Sequence, residues 1–475
     1  MMTTSRQPIQ TIGELNGLRV VVLGLARSGI AACRFLADAG AVVVAYDRRS
    51  ITELADAVTE LGAHPVQLAL GVENREAVAL LEHAELIVTS PSISPHFPTT
   101  DAWLRDALRV AQDAGVELVS EVELFLRLTR ARVLGVTGTK GKTTTASLIA
   151  AILQGSGTPS VLGGNIGTPL IERAGELSSD TWAVIELSEL QLPTISRGAD
   201  VAVYTNVGAD HLDRHGSVEA YRKVKARLAQ LTVRRGRVVL NHDDPGCREI
   251  GASLPAEAVA WYGHDRPGMG RDEAWVDGEG WILMAGERLM PARDVPLPGR
   301  HMLSNVLGAG LGSLLAGVAL AHIAEAIRGF GGVAHRMEPV QEFGGIRWIN
   351  DSQATIPVAA IAALESFEAP IVLIAGGQAK GLTFGEFADA IAEHTRLAIL
   401  IGETADEVAA LVGDRVPVER ATDMDAAVRI AVRWALPGDV VLLSPAAASF
   451  DMFTDYAARG DAFRRAVREA AQGSR

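Results

Sequence analysis

The chain has 475 residues, too many for one hydrophobic core, so about three domains are expected. With 48% hydrophobic residues and a net charge of −13, it is neither a disordered chain nor a general nucleic-acid binder. Cys33 and Cys247 are its two cysteines, far apart and in unlike contexts, which excludes a disulfide framework and a zinc site.

Residues 1–17 are polar, with no charged start followed by an apolar run, so no signal peptide is expected. Residues 18–24 read as a buried strand, followed by the turn Gly24-Leu25-Ala26-Arg27-Ser28-Gly29 and an apolar helix to Gly40. A second strand at 41–46 ends in Asp47-Arg48-Arg49. This is a βαβ nucleotide-binding pattern with an acidic residue about 20 positions past the glycines, placed to meet a ribose hydroxyl. Ala26 replaces the middle glycine, so a dinucleotide site and a turn kept for packing both stay open. A strand at 85–89 leads into a Ser/Pro-rich loop from Ser90, at a strand end where open α/β sheets bind ligands. A helix at 102–115 and a short strand at 117–120 close the first segment, 1–120.

The middle segment, 121–332, is organised around Gly-Val-Thr-Gly138-Thr139-Lys140-Gly141-Lys142-Thr143-Thr144. A buried strand runs into a glycine loop and then a helix over 144–153, which makes a phosphate cradle. Backbone amides and the helix dipole favour an anion, Lys142 can reach β/γ-phosphates and the Thr143 hydroxyl suits Mg²⁺. Val136 stands where the strict pattern has its first glycine, and ATP or GTP binding is still the expectation. A strand at 182–187 ends in Glu186, an acidic residue placed to hold Mg²⁺. Another strand at 201–207 precedes Asp210-His211-Leu212-Asp213-Arg214-His215, which could bind a second divalent ion or form a solvated charged turn. An amphipathic helix over 219–231 carries Lys225, which sequence physics alone does not single out. A strand at 237–240 follows, and 275–284 reads as a β-hairpin. Residues 303–321 form one long uncharged stretch, and their serine, asparagine and glycines mark a buried helix rather than a membrane span. The last segment, 333–475, alternates strands at 371–375, 398–401 and 440–443 with helices such as 426–435, another doubly wound unit.

Four runs together resemble the Mur ligase family: Gly-Val-Thr-Gly-Thr-Lys-Gly-Lys-Thr, Gly-Asn-Ile-Gly, Glu-Leu-Ser-x-x-Gln and Asn-Val-x-x-Asp-His-Leu-Asp-Arg-His-Gly. The order of motifs matches over almost the whole chain. The resemblance implies an α/β protein of three domains: a Rossmann-like UDP-binding domain (1–120), a central phosphate-loop ATPase domain with a small β-hairpin region (121–332) and a C-terminal Rossmann-like domain (333–475). It implies a cytoplasmic, monomeric, ATP-dependent ligase that adds D-glutamate to UDP-N-acetylmuramoyl-L-alanine through an acyl phosphate, for peptidoglycan. Lys142 would hold ATP phosphates and Thr143 and Glu186 one of two Mg²⁺ ions. His211 would bind the second, with Lys225 as a carbamate facing it. Leu25, Ala26, Asp47, Arg48, Arg49 and Ser90 would bind the uridine diphosphate, in place of NAD, and Asn165, Ser188 and Gln191 would lie close to the muramoyl group. Asn305 matches an adenine contact. In the last domain Arg336 would clamp the γ-phosphate or acyl phosphate and Asp351 the ribose, and Thr355, Lys380, Ser449 and Tyr456 would form the amino-acid site.

Four positions depart from the family pattern. Met302 replaces the first asparagine of Gly-x-His-Asn-x-x-Asn, and Gln353 and Ile356 replace the lysine and final asparagine of Asp-Ser-Lys-Ala-Thr-Asn. Gln378 replaces an aspartate after the paired glycines. The lost lysine removes a counter-charge beside the incoming carboxylates or phosphate. L-glutamate or another amino acid, and a nucleotide-binding homologue without ligase activity, are therefore the alternatives.

Overall fold

The computed structural model describes residues 8–208, 217–270, 272–296, 299–379 and 382–473. His211 and its neighbours, and Lys380, lie outside the described residues. The chain divides into two compact units, Met1–Phe330 and Gly331–Arg475.

The first unit holds two sheets. One is all parallel, in the order β3-β2-β1-β4-β5, from Arg19–Leu23 (β1), Val42–Asp47 (β2), Val66–Leu70 (β3), Leu86–Thr89 (β4) and Glu117–Ser120 (β5). The order reverses beside β1, so the loops after β1 and β4 frame the crevice where such sheets bind ligands. The β3 strand, half-exposed and bearing a Gln, gave too weak an apolar signal to be expected from sequence.

The other sheet has nine strands. Arg132–Thr137 (β6), Ser160–Gly164 (β7), Trp182–Glu186 (β8), Val201–Tyr204 (β9), Arg237–Asn241 (β10) and Val259–Tyr262 (β11) pair in parallel. Glu273–Val276 (β12), Trp281–Met284 (β13) and Glu287–Pro291 (β14) extend that edge, and the β12–β13 pair is the expected hairpin. Neighbouring residues serve opposite faces: Val133, Ala183 and Ala202 pack on one side, and Leu134, Val184 and Val203 on the other. Both faces being covered, these strands read as continuous apolar runs rather than alternating ones.

The expected helix over 303–321 is two helices, Arg300–Leu315 and Leu320–Gly329. Gly317, at φ +99°, turns the chain, with its N–H on Leu314 O and the Val318 N–H on Ser313 O. That is a glycine-capped helix end. No helix among the described residues is long and apolar enough to cross a membrane.

The second unit is a six-stranded sheet in the order β15-β16-β20-β17-β18-β19. Its strands are Glu338–Phe343 (β15), Ile346–Asn350 (β16), Ile371–Gly376 (β17), Thr395–Ile401 (β18), Val418–Arg420 (β19) and Val440–Leu443 (β20). All pair in parallel except β15, an antiparallel edge strand. The long helix Tyr456–Gly473 packs against β15 and β16.

Candidate active site

The phosphate loop is fixed by close approaches that only glycine permits. Gly138 has φ +150°, and a Cβ on it would lie 1.9 Å from Thr205 Oγ1 and 3.0 Å from Asn206 O. Gly141, at φ +83°, is the N-cap of the helix Lys142–Gly155, and a Cβ there would lie 2.4 Å from Asn305 Oδ1. Backbone bonds complete the clamp: the Thr139 N–H donates to Asn206 O (2.8 Å) and the Lys140 N–H to Asn206 Oδ1 (3.0 Å). The loop is thus held from β9 and its following turn, and its amides and the helix N-terminus are set for an anion.

Around that loop the structure gathers Lys142, Thr143, Asn165, Glu186 and Lys225. The Thr143 hydroxyl donates to Glu186 Oε2 at 2.8 Å, and Asn165 Nδ2 donates to Glu186 Oε1 at 2.9 Å. Glu186 is 1% exposed at the end of β8, so its carboxylate depends on these donors. Lys142 Nζ reaches Thr139 O at 2.9 Å. Lys225, fully buried on the helix Val218–Thr232, directs Nζ at Gly138 O (3.0 Å) and Thr137 Oγ1 (3.3 Å). Helix periodicity hid it, because one lysine among several on an amphipathic helix reads as solvent-facing. The pair of hydroxyl and carboxylate oxygens at Thr143 and Glu186 suits a hard divalent cation. Among the described residues no three His, Cys, Asp or Glu side chains gather as a metal site. His211, the imidazole expected there, is outside them.

Beside the loop lies a cavity of about 580 Å³ lined by Gly141, Asn206, Asn241, His264, Ser304 and Asn305 among others. Asn305 Nδ2 lies 3.7 Å from Met302 Sδ, the residue that replaces an asparagine. Sequence reasoning gave no role to Asn241, Asp243 or His264. The His264 ring bridges Asp243 Oδ2 (2.6 Å) and Arg300 O (3.0 Å). The polar run Asn241-His242-Asp243-Asp244 at the end of β10 was the signal available for the first two, and His264, which follows β11, had none.

A second cavity, about 440 Å³, opens at the switch point of the first sheet and is lined by Ala26, Asp47, Arg48, Arg49 and Ser90, with Thr100, Asp101 and Leu190. Asp47 does more than face it. Its Oδ2 accepts the Leu25 N–H (2.9 Å) and Arg49 Nη2 (2.8 Å), and its Oδ1 the Arg49 N–H (3.0 Å) and Nε (3.1 Å). Hydrogen bonds from Arg49 and Leu25 hold its carboxyl below the usual range against the opposing effect of burial. Its oxygens are therefore engaged in fixing the Gly24 turn and Arg49. Ser188 and Gln191 are not among the residues lining this cavity: the Ser188 N–H and Oγ both donate to Gln191 Oε1, at 3.0 and 3.1 Å, in the turn after β8.

In the second unit, loops after the adjacent strands β16, β20 and β17 carry the expected residues. Asp351 is buried, its Oδ1 accepting the Met337 N–H (3.1 Å) and its Oδ2 the Ser444 hydroxyl (2.9 Å). Burial pushes its carboxyl up to about 6. Arg336 sits between His335 (φ +61°) and Met337 (φ +45°), two non-glycine residues in left-handed conformation. Such strain persists only where the surroundings enforce it. Here the buried His335 ring meets Asn350 Nδ2 at 3.0 Å and faces Gly460, where a Cβ would lie 2.1 Å from Nδ1. Ser449 is buried and Thr355 half-buried, while Tyr456 opens the last helix. Gln353 Oε1 is buried and has no hydrogen-bond partner among the described residues.

Compared with known proteins, residues 18–120 match the N-terminal domain of MurD-like Mur ligases, 136–311 the Mur ligase middle domain and 335–447 the Mur ligase glutamate ligase domain. The chain is 40% identical over 455 residues to the UDP-N-acetylmuramoylalanine--D-glutamate ligase of Symbiobacterium thermophilum, covering 94% of this chain and 97% of that one. The chain belongs to the Mur ligase family. A second member, the enzyme of the same name from Solibacter usitatus, is 38% identical, with 96% of this chain and 98% of that one covered. Among solved structures of the family, UDP-N-acetylmuramate-alanine ligase MurC from Thermotoga maritima superposes with a TM-score of 0.54 at 17% identity, over 96% of this chain and 100% of that one. That likeness supports the three-domain α/β fold alone.

Proposed function

We propose that this protein is an ATP-dependent ligase that joins D-glutamate to UDP-N-acetylmuramoyl-L-alanine in peptidoglycan precursor synthesis. The observation that carries the reading is its likeness, over nearly the full chain, to enzymes named for that reaction. The phosphate loop, with Lys142, Thr143, Glu186 and Lys225 around it, supports it. The working domain limits are 1–120, 121–332 and 333–475, and the enzyme acts as a cytoplasmic monomer.

The chemistry follows from a carboxylate being a poor electrophile. The substrate carboxylate oxygen attacks the γ-phosphorus of ATP, the bond to ADP breaks, and an acyl phosphate forms. The amine of D-glutamate then attacks the acyl carbon, loses a proton, and phosphate leaves with the electron pair of the broken C–O bond. In this reading the amides of Gly138–Gly141 and Lys142 hold the β- and γ-phosphates and spread their charge. Arg336 clamps the transferring phosphoryl group, and Asp351 accepts from the ribose. Thr143 and Glu186 would hold one Mg²⁺, and His211 with Lys225 as a carbamate a second. When bound, these ions supply charge neutralisation at the phosphates. The first-domain cavity holds the uridine diphosphate, with Arg48 and Arg49 as its cations. Asn165, Ser188 and Gln191 lie along the muramoyl group, and Thr355, Lys380, Ser449 and Tyr456 receive the amino acid.

The test is phosphate release from ATP in the presence of UDP-N-acetylmuramoyl-L-alanine, with D-glutamate, L-glutamate or no amino acid. Release confined to D-glutamate supports the reading. Release with another amino acid moves the specificity to Gln353, Ile356 and Gln378. No release with any of them refutes ligation.

A further inference from the structure

Arg459 is 1% exposed, near the start of the helix Tyr456–Gly473, and carries no role in the reading above. Among the described residues its guanidinium makes five hydrogen-bond contacts, and each acceptor is a neutral oxygen. Nε donates to Ser352 Oγ (3.0 Å) and Nη2 to Ser352 O (2.9 Å). Nη1 is shared among Ala447 O (3.0 Å), Ala448 O (3.3 Å) and Gly376 O (3.5 Å). Ser352 lies in the loop after β16, Ala447 and Ala448 in the loop after β20, and Gly376 is the last residue of β17, where the third loop begins. The three strands are neighbours in the sheet, so one planar fork ties together three adjacent loops at their C-terminal ends. The tie is reinforced on either side: Ser352 Oγ donates on to Tyr456 O (2.8 Å), and Gln378 and Ala448 exchange backbone bonds at 2.9 and 3.2 Å.

We infer that Arg459 is a positioning residue for the ligase reaction, holding the loops that carry Asp351, Thr355 and Ser449 in one fixed arrangement before the dicarboxylate amino acid arrives. The inference rests on the proposed function for the identity of that ligand. The tie falls at strand ends where α/β sheets bind ligands, and not between helix and sheet core, where a purely structural arginine would serve packing. Three loops free to move separately would each have to be ordered on binding, which weakens affinity; loops already fixed avoid that cost. Asp451 is near enough to favour the charged form, yet among the described residues no carboxylate hydrogen-bonds this buried cation, an arrangement that is itself unfavourable and whose presence calls for a reason. Burial lowers its proton affinity to about 10, still charged at neutral pH. That charge lies beneath the loops that must receive an anion and lack the usual lysine at Gln353. A lysine could not replace it, since three tetrahedral donors do not span a planar fork's reach.

The test uses the full chain with Arg459→Lys and Arg459→Ala. Hydrogen exchange of the ligand-free proteins is expected to quicken at least tenfold in residues 352–355, 377–379 and 446–449, with the amides of β17 and β18 unchanged. In kinetics, the KM for D-glutamate is expected to rise at least tenfold in both variants, with the KM for the UDP-sugar substrate within twofold. Millimolar guanidinium should partly restore Arg459→Ala and leave Arg459→Lys unmoved. Equal exchange in the loops, or a fall in kcat with the KM for D-glutamate unchanged, would overturn the inference. If the wild-type protein shows no amino-acid-dependent phosphate release, the proposed function fails, and loop exchange still decides whether Arg459 holds the loops. If Arg459→Ala does not fold, the lysine variant decides by the same exchange measurement.

Discussion

Two loop systems in this chain do the same job by opposite means. In the first unit, residues 138–141 are fixed by the absence of side chains: Gly138 and Gly141 bring backbone against Thr205, Asn206 and Asn305 at distances no Cβ would tolerate. In the second, three loops are fixed by the presence of one side chain, Arg459, which lies 107 residues from Ser352 and 83 from Gly376 in sequence. A loop held by missing atoms leaves a local glycine spacing that can be read. A loop held by a distant guanidinium leaves none.

The largest effect should come from adding one carbon to the first system. Gly138→Ala places a methyl group 1.9 Å from Thr205 Oγ1 and 3.0 Å from the Asn206 carbonyl, at a φ of +150° that alanine rarely adopts. The threonine side chain can rotate away, but the backbone cannot. Phosphate release should fall at least about a thousandfold, and urea unfolding should show a loss of about 3 kcal/mol from strain and overpacking. Activity within tenfold of wild type would mean that the loop is not held by close approach.

Next in size is Lys225→Met. The variant keeps the buried stem and removes the donor to Gly138 O and Thr137 Oγ1, leaving two buried acceptors short of a partner. The expected loss is about 2 kcal/mol, with phosphate release down about a hundredfold or more. Intact-protein mass with and without bicarbonate checks the carbamate separately: the wild type should gain its mass and the variant should not.

This contrast also explains what could be read from the chain in advance. Strands β6, β8, β9 and β10 of the central sheet and the Lys-Thr helix start were legible because both faces of β6 and β8 are buried and the glycine turn is local, whereas β7 and β11 were not expected. Glu186 was legible from its place at a strand end. Lys225 was not, since its burial depends on the helix Val218–Thr232 lying beside the loop, a tertiary fact. Asp47 shows the same limit from another side. Its spacing announced a ribose partner, whereas the fold engages both its oxygens with Leu25 and Arg49. The edge strands β3, β15 and β19 were missed because half-exposed strands with polar or charged residues carry little period-2 signal.

The second system carries a titratable group whose pH dependence can be separated from the arginine tie. Burial holds the Asp351 carboxyl at about 6 in the fold, against roughly 3.9 when unfolded. The folded protein therefore binds this proton more tightly. Its contribution is fully present below about pH 4 and is lost as pH rises through about 6, at most about 3 kcal/mol. Asp351→Asn cannot titrate. It should be close to the wild type in stability at pH 4, where both side chains are neutral, and the more stable protein at pH 8 by at most about 3 kcal/mol. Melting temperatures across that range are the check, and a constant gap would place the titration elsewhere. The KM for ATP should rise in the variant if the carboxylate meets the ribose.

The smallest effect is the sharpest probe of how the two systems differ in charge. The phosphate loop would meet its anion with Lys142 beside it, while the trio of loops has Gln353 at the position where the family commonly carries a lysine, and its buried oxygen has no partner among the described residues. If Arg459 supplies the positive field for the second system, restoring the surface-side lysine should add little. Gln353→Lys is then expected to lower the KM for D-glutamate by no more than about threefold, to steepen its salt dependence, and to cost about 1 kcal/mol for partly burying an ammonium. A tenfold or larger fall in that KM would mean the opposite: the loops would be short of positive charge as they stand, and the guanidinium beneath them would act through geometry alone.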